Sequence, residues 1–479
     1  MRISIIITFS EALQEVIKEH NIIVKHLAEK TEINRTTLQH FIAGRRTPNK
    51  AQVSKLIKNI PIPAQDKALL LQAYGATTTC SEKSNQLDKV KAIIERIAFD
   101  FIASSTDPPS LSENILSHSM VDSEDLYGTH AIYNALLDIL GGEDGSVSFF
   151  MPSNFPFFYD ALLAKYEASP TLSVTCFFPI SNESERKISD LEYFESFIPL
   201  FASPKHNFQA YYMRGQSPLH DTSIIPFPYF IHTSERVLLL SADINHAILT
   251  KQEAFVQMYY KKCQDLLSIS SPLLLNTSVY DLLSYFPNFS SPKDVCASIE
   301  KQPCFQSLLT KQLIRKYIPV NTDEEAAIIK IYTKYIDELQ KEPNFFSAFE
   351  RAGLEDFAET GVIAVWPPSL GRPLDVPDRI RMLERMLNGI KSDEFHCRMV
   401  DTTKLTVPLS STVIGVRRKT LLLQCLDYDN GNVKNILLTE KNILEAFTAF
   451  FEELPNSHYV HSKEETVKAF EDVLEKLVR

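Results

Sequence analysis

Six basic residues and no acidic one lie between Ile33 and Gln65: Arg35, Arg45, Arg46, Lys50, Lys55 and Lys58. Cations grouped this way attract a polyanion; they supply no nucleophile and no base. The grouping is unusual for this chain. Its formal net charge is −11, yet residues 1–79 hold eleven basic and six acidic side chains, or +5. The other 400 residues therefore carry −16. Any contact with a polyanion is confined to the amino-terminal sixth.

Other arrangements capable of chemistry are thin. No Gly-x-Ser-x-Gly elbow occurs. Gly141–Gly145 is glycine-rich but leads into a strand pattern, whereas a phosphate cradle needs the amide end of a helix. His458 and His461 are three apart, and the Ser462-x-x-Glu465 capping pattern puts them in a loop, not on a metal-binding helix face. Asp401 follows a strand pattern without a partner acid or base. Trp366-Pro367-Pro368 ends a run read as a strand, and core packing is the expected use of its indole. The run Phe149-Phe150, Phe155, Phe157-Phe158-Tyr159 also reads as core. The seven cysteines (80, 176, 263, 296, 304, 397, 425) form no Cys-x-x-Cys pair. They read as reduced, buried thiols of a cytoplasmic protein. No catalytic residue, metal or cofactor is expected. No stretch approaches the roughly 18–20 apolar residues that cross a bilayer, and Ile3–Phe9 is too short for a signal peptide.

The elements that hold the basic group are helical. Leu13, Val16 and Ile17 share one face of Ser10–Glu19, and Leu27 and Ala28 face inward from Val24–Lys30. Asn34 is placed to cap a third helix, Arg35–Ile42, with Leu38 and Phe41 buried and Gly44 as its stop. A fourth helix follows Pro48 with Val53, Leu56 and Ile57, and a fifth spans Pro63–Tyr74.

The run Leu27-Ala28-Glu29-Lys30-Thr31-Glu32-Ile33-Asn34-Arg35-Thr36-Thr37-Leu38, continued by Gly44-Arg45-Arg46-Thr47-Pro48, resembles the core of the lambda-repressor-like (Cro, XRE-type) helix-turn-helix. The match covers about 75 residues. Glu32 stands where that family has a turn glycine, and Val24 where it often has glutamine. The resemblance implies double-stranded DNA as partner, with the third helix in the major groove. It assigns Arg35, Thr36, Gln39 and His40 to base edges, where Arg suits guanine and Gln suits adenine. Thr37 goes to a phosphate or a thymine methyl. Arg45, Arg46 and Lys50 go to phosphates, which position the domain without reading sequence. A short reading helix covers few base pairs, so a homodimer on palindromic half-sites is expected.

The remaining residues alternate between helix and strand patterns. Gly75–Gln86 reads as a polar linker, Leu87–Ala103 as an amphipathic helix and Ser104–Ser112 as a second linker. Two α/β (or α+β) lobes are expected, 111–268 and 269–479, the second helix-rich at its start with a Thr322/Glu325 capping box. The domain reading is 1–78 helix-turn-helix, 79–110 linker and connecting helix, then the two lobes. Glu235–Leu240 before the aromatic helix at Tyr259-Tyr260 parallels Lys419–Leu423 before the helix at Phe450-Phe451, a weak similarity that either a duplication or chance produces. Duplicated α/β lobes resemble those of phospholipase-D-like proteins. That family's His-x-Lys signature places Asp five residues after the Lys. Here the sole His-x-Lys is His461-Ser462-Lys463, and Lys468 stands at the Asp position. The resemblance therefore implies a non-catalytic version.

The expected fold is multidomain: an all-α five-helix domain followed by α/β lobes. The expected function is a sequence-specific DNA-binding regulator whose carboxy-terminal region senses a small-molecule or peptide effector, dimerises, or both. The alternatives are an antitoxin-like or immunity-type interaction scaffold, and a DNA-tethered enzyme with an unrecognised active site. No membrane association is expected.

Overall fold

The computed structural model describes residues 8–103, 122–142, 145–169, 171–180, 187–202, 207–214, 225–277, 295–318, 323–341, 345–366, 371–406, 412–417, 419–427 and 432–479. Most of Ile3–Phe9, the Ser104–Ser112 stretch, Pro367-Pro368, the Thr322/Glu325 box and the side chains of Lys50, Cys80 and Cys425 lie outside the described residues. The chain divides into two compact units, Met1–Asp88 and Lys89–Arg479.

The first unit holds α1 (Phe9–Glu19), α2 (Val24–Thr31), α3 (Arg35–Ile42), α4 (Lys50–Asn59) and the opening of α5 (Ala64–Ala103). Its core is Phe9, Leu13, Leu27, Leu38, Phe41, Val53, Leu56 and Leu70, one stripe from each helix. Thr8 and Asn49 close capping boxes at α1 and α4. The expected linker at 75–86 is instead part of α5. That stretch is polar but contains no proline and only Gly75, so it carries propensity costs of tenths of a kilocalorie per residue and no breaker.

The second unit contains two mixed sheets. The first comprises β1 (Ser123–Tyr127), β2 (Ser146–Phe150), β3 (Ser173–Ile180), β4 (Asn207–Arg214), β5 (Tyr229–His232), β6 (Val237–Leu240), β7 (His246–Thr250) and β8 (Ser271–Pro272). Its helices are α6 (Thr129–Gly141), α7 (Pro156–Ala168), α8 (Lys187–Ala202) and α9 (Glu253–Ile269). The second sheet comprises β9 (Leu275–Thr277), β10 (Cys296–Glu300), β11 (Phe346–Phe349), β12 (His396–Met399), β13 (Thr412–Arg417), β14 (Thr420–Asp427) and β15 (Asn432–Leu438). Its helices are α10 (Lys311–Tyr317), α11 (Asp323–Leu339), α12 (Arg351–Thr360), α13 (Val376–Lys391), α14 (Lys441–Glu453) and α15 (Lys463–Val478).

Strand order makes the duplication explicit. The first sheet runs β1-β7-β6-β5-β2-β3-β4-β8; the second, read in the same sense, runs β9-β15-β14-β13-β10-β11-β12. Each has three parallel strands joined to an antiparallel meander. The paired segments at 235–240 and 419–423 fall on β6 and β14, which occupy equivalent places, and α9 and α14 follow equivalent strands.

The repeats meet at a seam of apolar and ionic contacts. Phe194 of α8 and Phe447 of α14 pack edge to face at 6.1 Å. Arg214, ending β4, donates to the buried Glu440 carboxylate at 2.7 Å, and Glu440 in turn caps α14 through the Ile443 amide at 2.9 Å. Asn442 donates to Asp190 at 2.8 Å, and Lys434 to the Phe201 carbonyl at 2.8 Å.

Several boundaries differ from the sequence reading. The helix expected from Leu126 begins at Thr129, after β1 and Gly128 at φ +84. Gly361–Trp366 is not a strand: Gly361 adopts φ +72 as the left-handed stop of α12, and the strand is Phe346–Phe349, earlier in the chain. Among the described residues no helix is long and apolar enough to cross a membrane.

Candidate nucleic-acid interface

The basic group is organised by α3 and the two turns that flank it. Thr31 closes α2 with its hydroxyl on the Leu27 carbonyl at 2.7 Å. Glu32 then takes the left-handed conformation, φ +54 and ψ +25, at the position where a glycine was the family expectation. Its carboxylate pairs with Lys55 at 3.1 Å. Ile33 is buried, and Asn34 caps α3 by accepting the Thr36 amide at 2.9 Å.

Leu38 and Phe41 bury one side of α3. At about 100° per residue, Arg35, Thr36, Gln39 and His40 fall within roughly 140° on the other side. Arg35, Thr36 and Gln39 are exposed, His40 is half-buried, and Thr37 sits half-buried at the flank. Gly44 ends the helix at φ +68; its amide bonds the Phe41 carbonyl at 3.2 Å and the Arg45 amide bonds the His40 carbonyl at 3.0 Å. This nested pair is a Schellman turn, and it leaves Arg45 and Arg46 exposed immediately beyond the helix. Lys50 opens α4. The sequence reading missed Gln14, whose side-chain amide reaches the Ile42 carbonyl at 2.5 Å and fixes the end of α3 against α1. No motif signals a contact of that span.

Three acids of the unit, Glu11, Glu29 and Asp66, are engaged elsewhere. Glu11 belongs to the α1 capping box, and its bonds from the Thr8 amide and hydroxyl hold its carboxyl below the usual range. Asp66 pairs with His20 at 2.9 Å and Glu29 with His26 at 3.3 Å. Arg35, Arg45 and Arg46 make no ion pair among the described residues. The result is a surface of exposed, unpaired arginines and hydrogen-bonding side chains; of the basic group, Lys55 is the one paired to a carboxylate, that of Glu32, among the described residues.

The remaining candidates resolve into structure. Among the described residues no cluster of His, Cys, Asp and Glu is arranged to hold a metal. His461 sits beside Glu465 at 3.6 Å, Ser462 caps α15, and Lys463 pairs with Asp393, so the His-x-Lys triplet builds a helix start. Asp401 accepts the Thr403 hydroxyl at 2.6 Å and pairs with Lys404 at 2.8 Å, bonds that hold its carboxyl far below the usual range. Trp366 is core, its Nε1–H donating to the Tyr332 hydroxyl at 2.7 Å. Phe149, Phe150, Phe155, Phe158 and Tyr159 are buried, and Phe157 is exposed. The five cysteines whose side chains are described are buried and form no disulfide.

No family model matches the chain. No curated protein matches it either. Among solved structures, a phosphatidylserine synthase of Haemophilus influenzae Rd KW20 is similar at 10% identity and a TM-score of 0.22, over 76% of this chain and 94% of its own. TrmBL2, an archaeal chromatin protein described by a novel mode of DNA binding, is similar at 7% identity and a TM-score of 0.23, over 55% of this chain and 99% of its own. Likenesses at TM-scores this low carry nothing about the fold or activity of this chain.

Proposed function

We propose that the chain is a sequence-specific DNA-binding regulator of XRE type, reading DNA through α3 and sensing or dimerising through the duplicated lobes. The observation that supports it is the exposed face of Arg35, Thr36 and Gln39 continued by Arg45 and Arg46, with no carboxylate paired to the arginines. Arg35 and Gln39 read base edges, with Thr36 and His40 beside them. Arg45, Arg46 and Lys50 hold the backbone, and Thr37 meets a phosphate or a thymine methyl. The lobes serve binding and not catalysis, a reading supported by the structural use of His461, Ser462 and Lys463. The working form is a cytoplasmic homodimer, so that two α3 helices meet half-sites about one helical turn apart.

The test is selection of genomic fragments by the full-length protein beside Arg35→Ala/Gln39→Ala. A palindrome recovered by the parent and lost by the variant, with light scattering giving twice the chain mass, is the expected result. Binding that is salt-dependent, motif-free and unchanged by the variant overturns the reading.

A further inference from the structure

We propose that a cavity in the second repeat, at the amino ends of β11 and β12, binds a small zwitterion with an apolar body: an α-amino acid or a dipeptide. The cavity encloses about 450 Å³, within the range of small-molecule sites. The end of α11, the middle of α13 and the residues leading into the two strands enclose it. Its floor is Cys304, Ser347 and Cys397, all buried. Ser347 is committed there, its hydroxyl accepting the Cys304 amide at 3.2 Å. Burial pushes both thiols well above their ordinary range, so neither thiol is charged; beneath them Cys304 and Ser347 also bond the buried Glu300 carboxyl, which does not line the cavity. Phe345, Met386 and Phe395 line the cavity with aromatic and thioether surface.

The rim decides the polar end of the ligand. Arg385 and Glu394 both line the cavity and both are exposed. Neither makes an ion pair among the described residues, so these opposite charges face one space without meeting. Asp393, beside Glu394, is already engaged by Lys463. His396 is the remaining ionisable group on the rim. A ligand carrying a carboxylate for Arg385 and an ammonium for Glu394 satisfies both, which neither a simple anion nor a simple cation does. As an effector site the cavity rests on the regulator reading; binding itself does not.

The experiment is calorimetric titration of the full-length protein, without DNA. The probes are L-phenylalanine, L-phenylalanyl-glycine, phenethylamine and 3-phenylpropionate. The expected result is saturable binding of at least one zwitterion, and binding about tenfold or more weaker for each single-charge probe. Arg385→Gln then weakens the carboxylate-bearing probes only, and Glu394→Gln the ammonium-bearing ones only; both positions are exposed, so folding is not at stake. No saturable binding of either zwitterion up to about 10 mM, or binding indifferent to both substitutions, overturns the site. A protein that binds the zwitterion but not DNA retains the site and loses the regulator reading, so the two failures are separable.

Discussion

Glu32 holds a backbone conformation that costs a side-chain-bearing residue about 1–2 kcal/mol and glycine almost nothing. Its return is an exposed ion pair with Lys55, worth about 0–1 kcal/mol. Glu32→Gly is therefore expected to stabilise the first unit by about 0.5–1 kcal/mol, read as a higher urea midpoint with an unchanged slope. A drop in the midpoint would mean that the ion pair outweighs the strain. Glu300 is a second residue with a measurable signature. Burial raises its carboxyl to about 7, against the lowering effect of bonds from Ser298, Cys304 and Ser347. A carboxyl whose folded pKa lies above its unfolded value binds protons more tightly when folded. Stability from this group is present below about 4.5 and lost as pH rises through about 7. The loss amounts to roughly 3 kcal/mol. Glu300→Gln should flatten that slope, leaving the variant the more stable protein at pH 8 and near parity at pH 5. Parallel pH profiles for the two proteins would show that Glu300 is not the titrating group.

The caps of α3 lend themselves to direct tests at the scale of the element. Asn34→Ala removes the acceptor for the Thr36 amide and is expected to cost about 1 kcal/mol. Gly75→Ala probes α5. A Cβ there meets nothing within 4 Å, so a continuous helix gains about 1 kcal/mol and a flexible linker gains far less. A thermal melt distinguishes the two. These elements also mark what was legible from sequence. The span of α3, its Asn34 cap and its Gly44 stop were readable because capping is local: the signal and the structure lie within a few residues. The start of α15 was equally clear from Ser462 and Glu465. Strand β11 was not, because four residues buried on both faces show neither alternation nor length. Gly361 misled for the opposite reason. It stops a helix through positive φ, yet the apolar run after it imitates a strand. The cavity was illegible altogether, since Cys304, Ser347, Arg385 and Glu394 converge from four separate segments and no motif joins them.

For the molecule as a whole, the duplication places the ion pair of Arg214 and the hydrogen bond to Asp190 at the joint between repeats. Arg214→Ala leaves the fully buried Glu440 carboxylate held by the Ile443 amide of α14 without its cation, and is expected to cost about 2 kcal/mol, since Arg214 itself is partly solvated. Adding Glu440→Gln should recover part of that loss; equal losses in the single and double variants would show that the stranded carboxylate is not what costs stability. The same seam sets a condition on how the protein is made. The face of α8 that carries Phe194 is finished early, but the helix that covers it starts at Lys441, while β8, the last strand of the first sheet, ends at Pro272. Roughly 170 residues must be translated in between, which at about 5–20 residues per second takes on the order of 10–30 s. Throughout that interval the nascent first repeat presents an aromatic surface with no partner yet synthesised, making it a natural client for ribosome-associated chaperones.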